Sequence, residues 1–116
     1  MARALIIEDE ALIALDLQDE LQRLGIELLG VARTSDEALE LLRQGDPDLA
    51  IVDLMLNGTA HGASIADALR ARGVKVLITS GGDGAEISGK GHAFLPKPWA
   101  RDDLRRALGV LPEAAD

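Results

Sequence analysis

Five residues of this sequence carry groups suited to handling a phosphoryl group, and each stands at or just past the end of a short apolar run. Glu8 and Asp9 follow Ala4-Leu5-Ile6-Ile7, Asp53 closes Leu49-Ala50-Ile51-Val52, Thr79 follows Val74 to Ile78, and Lys97 comes shortly after Ala93-Phe94-Leu95. Three carboxylates drawn within a few ångströms repel one another and raise their own pKa values, a cost that persists mainly where a cation is bound. Oxygen donors without His or Cys point to Mg²⁺, which keeps several waters and takes one or two carboxylates plus phosphate oxygens. Lys97 would be the second cation. Such a set supports phosphoryl transfer, in which the protein positions groups and neutralises charge on the equatorial oxygens. A carboxylate can itself be the nucleophile, and Asp53, at the end of the central run, is the best candidate to form an aspartyl-phosphate.

These side chains meet only if the runs are neighbouring strands. After the first run, Ile13, Leu17, Leu21 and Leu24 recur at spacings of three and four before Gly25, the pattern of an amphipathic helix stopped by glycine. Leu28 to Ala32 reads as a second strand. Thr34-Ser35-Asp36-Glu37 offers a capping box ahead of Ala38, Leu41 and Leu42, with Gly45 as the stop. Asp48 to Asp53 is the third strand; Ile65, Ala66 and Leu69 mark a helix closed by Gly73, and Val74 to Ile78 is the fourth strand. The brief strand Ala93-Phe94-Leu95 and a helix with Leu104, Ala107, Leu108 and Leu111 on one stripe complete the series. Alternation of this kind implies right-handed crossovers and a parallel sheet covered on both faces, which explains the unbroken apolar strands. The predicted class is α/β, doubly wound, and ligands of such sheets bind beyond the carboxyl ends of the strands.

Composition narrows the function classes. The 116 residues suit one domain spanning residues 1–116, without room for a second catalytic or DNA-reading module. A net charge of −8 and two aromatic residues, Phe94 and Trp99, argue against a nucleic-acid partner and against a stacking platform for single strands. No cysteine is present, so disulfides and thiolate sites are excluded. The N-terminal apolar run is too short for a signal peptide or a membrane span, and a cytoplasmic, soluble protein is expected.

At these residues the sequence resembles the receiver domain of bacterial two-component response regulators. The ordered set is an acidic pair after strand one (Glu8, Asp9), an acceptor after strand three (Asp53), Thr79 after strand four and Lys97-Pro98 after strand five. The resemblance implies a flavodoxin-like, five-stranded parallel sheet of strand order 2-1-3-4-5. It implies that Asp53 accepts a phosphoryl group from a phosphohistidine on a sensor histidine kinase or phosphotransfer protein. Mg²⁺ would be held by Asp9, Asp53 and the backbone carbonyl of Met55, with Glu8 acting partly through water. Lys97 would contact the phosphoryl oxygens, Thr79 would move to meet them, and Phe94 would change rotamer with that movement. The Lys97-Pro98 bond would be cis. Such a protein is not an enzyme beyond its own phosphorylation and dephosphorylation. With no output domain expected after the last helix, it would signal by binding a downstream protein, in an oligomeric state the sequence leaves open.

Two features depart from the family pattern. Asn57 replaces the usual proline after the acceptor, and residues 80–93 hold five glycines. Each glycine inside a helix costs roughly 1 kcal/mol relative to alanine, so a short or mobile fourth helix is predicted there. In this respect the chain resembles, more weakly, stand-alone receivers with a Thr-Gly-Gly type motif that work with kinases of general stress pathways. The run Gly84 to Gly91 approaches a Walker A loop but has Gly91 where the hydroxyl belongs, and a strand rather than a helix follows. His61 and His92 lack a partner at metal spacing and read as loop residues, while Arg101, Arg105 and Arg106 alternate with Asp102 and Asp103 as a solvated surface. Three other readings remain open beside the receiver: a pseudo-receiver interaction module not regulated by phosphorylation, the receiver fragment of a longer regulator, and a small Mg²⁺-dependent phosphohydrolase.

Overall fold

The computed structural model describes residues 2–56, 61–81 and 93–109. In chain order the elements are β1 (Arg3–Ile7), α1 (Ala11–Arg23), β2 (Glu27–Ala32), α2 (Ser35–Leu42), β3 (Leu49–Asp53), α3 (His61–Ala71), β4 (Lys75–Ser80), β5 (Ala93–Pro96) and α4 (Arg101–Gly109). The five strands form one parallel sheet in the order β2-β1-β3-β4-β5, as the sequence predicts. The strand order reverses between β1 and β3, so the carboxyl ends of these two strands flank the crevice where such sheets bind ligands.

Alternation along each strand divides the core into two layers. Leu5, Ile7, Ala50, Val52, Val76 and Ile78 pack with Ala38 and Leu42 of α2 and Ala66 and Leu69 of α3. Ala4, Ile6, Leu49, Ile51 and Leu77 pack with Ala14, Leu17 and Leu21 of α1 and Leu104 of α4. Successive side chains of a strand point to opposite faces, so burying both demands apolar residues at every position. With only aliphatic side chains at most of these positions, the core is filled by branched residues in well-defined rotamers.

The helix ends follow their local chemistry. Thr34 caps α2 by accepting from the Glu37 N–H at 3.1 Å, as predicted. The Glu37 carboxylate reaches one residue further back than a standard box and accepts from the Arg33 N–H at 3.0 Å. Both α1 and α3 end in Schellman turns: Gly25 at φ 76° lets Ile26 N–H reach the Leu21 carbonyl, and Gly73 at φ 89° lets Val74 N–H reach that of Leu69. Leu24, placed on the buried stripe by its spacing, is instead the C-cap of α1 and lies exposed, because the helix stops one residue earlier. His61, read as a loop residue, opens α3.

The predicted fourth helix, the loop bearing Asn57, the near-Walker run and His92 lie outside the described residues. A contact between helices escaped the sequence reading. Arg105 does not sit on a purely solvated surface: its Nε lies 2.5 Å from Oε1 of Glu20, a buried carboxylate, and ties α4 to α1. The signal was available, since Glu20 falls on the same helical stripe as Leu17 and Leu21 and an acid there needs a partner.

Candidate acidic site at the strand ends

Parallel pairing sets the site. Register places Ile7 beside Val52 and Asp53 beside Thr79, so the residues that follow or end β1, β3 and β4 share one edge. Glu8 is fixed there by its N–H bond to the Ala32 carbonyl at 2.9 Å, and Lys97 by its N–H bond to the Ser80 carbonyl at 2.8 Å. The Lys97-Pro98 peptide is cis. Glu8, Asp9 and Asp53 each offer a carboxylate oxygen within 4.8 Å of the others. Glu8 and Asp53 are buried, Asp9 half-buried.

Lys97 Nζ stands 3.0 Å from Glu8 Oε1, 3.4 Å from Asp53 Oδ2 and 3.9 Å from Glu10 Oε1. The other oxygens have backbone partners: Glu10 N–H donates to Glu8 Oε2 at 3.1 Å, and Met55 N–H donates to Asp53 Oδ1 at 3.2 Å. Two buried oxygens, Glu8 Oε1 and the Thr79 hydroxyl, lack a well-aligned hydrogen bond. Glu8 Oε1 faces the Lys97 ammonium, whereas the Thr79 hydroxyl keeps its hydrogen-bonding capacity for a further partner. Phe94 pairs with Ile78 and packs, half-buried, against the core layer beneath α2 and α3. Trp99 is half-buried and shares a cavity of about 340 Å³ with Glu10, Ile13, Asp16, Lys97 and Pro98.

The electrostatics follow from this crowding. Burial is the main cause that pushes the Glu8 carboxyl up to about 7; the Asp53 carboxylate adds to it, while Lys97 and the Glu10 N–H partly offset it. Burial opposes the Lys97 ammonium, yet the contact with Glu8 and the fields of Glu8, Asp53 and Glu10 outweigh it and hold Lys97 above the ordinary lysine value. A folded value above the unfolded one means that Glu8 favours folding while protonated. Its contribution is full below the ordinary value of 4.5 and is lost as pH rises through about 7. The linked change is about 3 kcal/mol, less any relaxation of the site. In EDTA the urea midpoint is therefore expected to rise as pH falls from about 7.5 to about 5, and Glu8→Gln should flatten that slope. A midpoint that drops over this window in wild type would contradict a raised Glu8.

An arrangement of three carboxylates that offer oxygens within 4.8 Å of one another, with negative charge in excess of the one lysine, fits a hard divalent cation. Sequence reasoning named Glu8, Asp9, Asp53, Thr79 and Lys97, and all five are brought to this edge. It did not single out Glu10, which lies beside Lys97.

Comparison with known proteins identifies the family and agrees with the fold. The chain is 36% identical over 111 residues to the transcriptional regulatory protein PdtaR of Mycobacterium tuberculosis, covering 91% of this chain and 54% of that protein. It thus spans about half the length of this curated relative. The solution structure of SdrG from Sphingomonas melonis is 32% identical with a TM-score of 0.80, covering 94% of each chain. The crystal structure of the anti-anti-sigma factor PhyR from Bartonella quintana is 27% identical with a TM-score of 0.78, covering 92% of this chain and 45% of that one. Among the described residues no helix is long and apolar enough to cross a membrane. A profile of the response regulator receiver domain matches residues 4–109, and the chain belongs to that family.

Proposed function

We propose that the protein is a phosphoacceptor receiver in a histidine–aspartate phosphorelay, with residues 1–116 acting as one cytoplasmic receiver domain. The observation that carries this reading is the meeting of Glu8, Asp9 and Asp53 within 4.8 Å beside the Lys97 ammonium at the sheet's reversal point. An oxygen of Asp53 attacks the phosphorus of a phosphohistidine on a sensor kinase or phosphotransfer protein. The new P–O bond forms as the P–N bond breaks, and the electron pair returns to the imidazole nitrogen. Lys97 holds a phosphoryl oxygen and offsets its charge. The buried Thr79 hydroxyl, short of a hydrogen bond in this state, turns to donate to a phosphoryl oxygen, and Phe94 shifts with it to alter the surface a partner reads.

Asp9, Asp53 and the Met55 carbonyl would hold Mg²⁺, with Glu8 partly through water. When bound, the ion supplies Lewis-acid neutralisation of charge on the transferring group. The protein turns over no separate substrate. Its output is a protein contact rather than DNA or a membrane, and the likeness to PdtaR, a transcriptional regulatory protein, and to PhyR, an anti-anti-sigma factor, supports a partner within a regulatory pathway.

Trp99 reports on the site, being the only tryptophan and sharing a cavity with Lys97. Mg²⁺ is expected to alter its fluorescence saturably, and Asp9→Asn to weaken the apparent affinity at least about tenfold, since a liganding carboxylate is lost. A titration curve unchanged in Asp9→Asn would remove Asp9 from the metal site.

A further inference from the structure

The charges around Lys97 form a gradient of exposure. The Glu8 side chain is 1% exposed, that of Asp53 4%, that of Lys97 14% and that of Glu10 63%. Among the described residues that contact Lys97, Glu10 is therefore the outermost charge. Its position in the chain makes it the N-cap residue of α1, yet its side chain makes no capping hydrogen bond. A carboxylate at an N-cap normally accepts from the first-turn N–H groups. Here it lies instead 3.9 Å from Lys97 Nζ, on the wall of the 340 Å³ cavity that also holds Asp16, Pro98 and Trp99. A group this exposed holds its partner weakly. Its negative charge nevertheless lies beside the ammonium that faces Asp53, an acceptor whose donors are anions.

We propose that Glu10 is a specificity-determining residue, an electrostatic gate that disfavours small anionic phosphodonors at the mouth of the Asp53 site. The inference rests on Asp53 being the acceptor. A free acyl phosphate that reaches Lys97 brings its own negative charge close to Glu10, whose carboxylate lies 3.9 Å from the ammonium. A donor carried on a protein surface meets the same carboxylates as part of a larger interface, where cations of the partner offset them. Glu10 thus biases the acceptor toward protein donors without touching the reacting atoms.

Two measurements test this. Phosphorylation by acetyl phosphate with Mg²⁺ should saturate at about two- to fivefold lower donor concentration in Glu10→Gln, with the maximal rate unchanged, and salt at about 0.5 M should erase the difference. Glu10→Asp, which keeps the charge, should behave as wild type. Independently of any reaction, quenching of Trp99 by iodide relative to neutral acrylamide should increase about twofold in Glu10→Gln, because the anion meets less repulsion. An unchanged iodide ratio, or a change in maximal rate alone, overturns the gate. A shifted iodide ratio in a protein that takes no phosphoryl group on Asp53 overturns the acceptor reading, and the gate with it.

Discussion

Gly62→Ala is expected to destabilise the protein by about 3 kcal/mol or more, at the severe end of overpacking, and to spoil the acceptor strand with it. Gly62 stands in the first turn of α3, where its N–H donates to the Leu54 carbonyl at 3.1 Å. A Cβ there would run into the carbonyl oxygen of Asp53 and lie 2.6 Å from Leu54 Cα and 2.7 Å from the Leu54 carbonyl oxygen. All three obstacles are backbone atoms, so no rotamer change relieves them. Either α3 retreats from the sheet, opening the layer that Ala66 and Leu69 fill, or the end of β3 moves and carries Asp53 away from Lys97. Gly81→Ala is the control, since a Cβ at Gly81 meets nothing within 4 Å. Urea unfolding checks the pair: a lowered midpoint for Gly62→Ala beside an unchanged one for Gly81→Ala is the expected result. Equal midpoints would show that α3 does not press on the acceptor as described.

Much of this arrangement was legible in the residues themselves. The apolar runs gave the strands, because a parallel sheet buried on both faces tolerates few polar positions within them. Gly25 and Gly73 marked helix ends, because only glycine enters the left-handed region freely. Glu8, Asp9, Asp53, Thr79 and Lys97 followed from the strand order, since each stands where a strand gives out. What stayed hidden depends on side-chain reach. The spacing put Leu24 on the buried stripe, but spacing does not show which turn of the helix is its last. The Glu20–Arg105 tie joins positions far apart in the chain, and Arg105 looked like one more charge on a mixed surface. Glu10 was not singled out, because nothing in the sequence shows that its side chain forgoes the helix cap for Lys97. The close approach of Gly62 to Asp53 is likewise a property of how α3 crosses the sheet.

The largest functional effect belongs to Asp53. Removing it leaves Lys97, Thr79, Glu8 and Asp9 in place but takes away the carboxylate at the end of β3 that serves as nucleophile, so Asp53→Asn should lose the phosphoryl adduct altogether rather than form it slowly. Lys97→Ala keeps the nucleophile but removes the ammonium that stands 3.4 Å from it, and phosphorylation should slow by about 10²–10³-fold, the cost of losing one positioned charge at a developing anion. The fold should survive that change, because Glu8 can remain protonated when its cation is lost. The most direct measurement is the intact mass of the protein after incubation with Mg²⁺ and acetyl phosphate. Wild type is expected to gain the mass of one phosphoryl group, labile as an acyl phosphate is, and Asp53→Asn to gain none. An adduct that persists undiminished in Asp53→Asn, or a wild-type protein that takes up no phosphoryl group under conditions where Mg²⁺ binds, would contradict Asp53 as the acceptor.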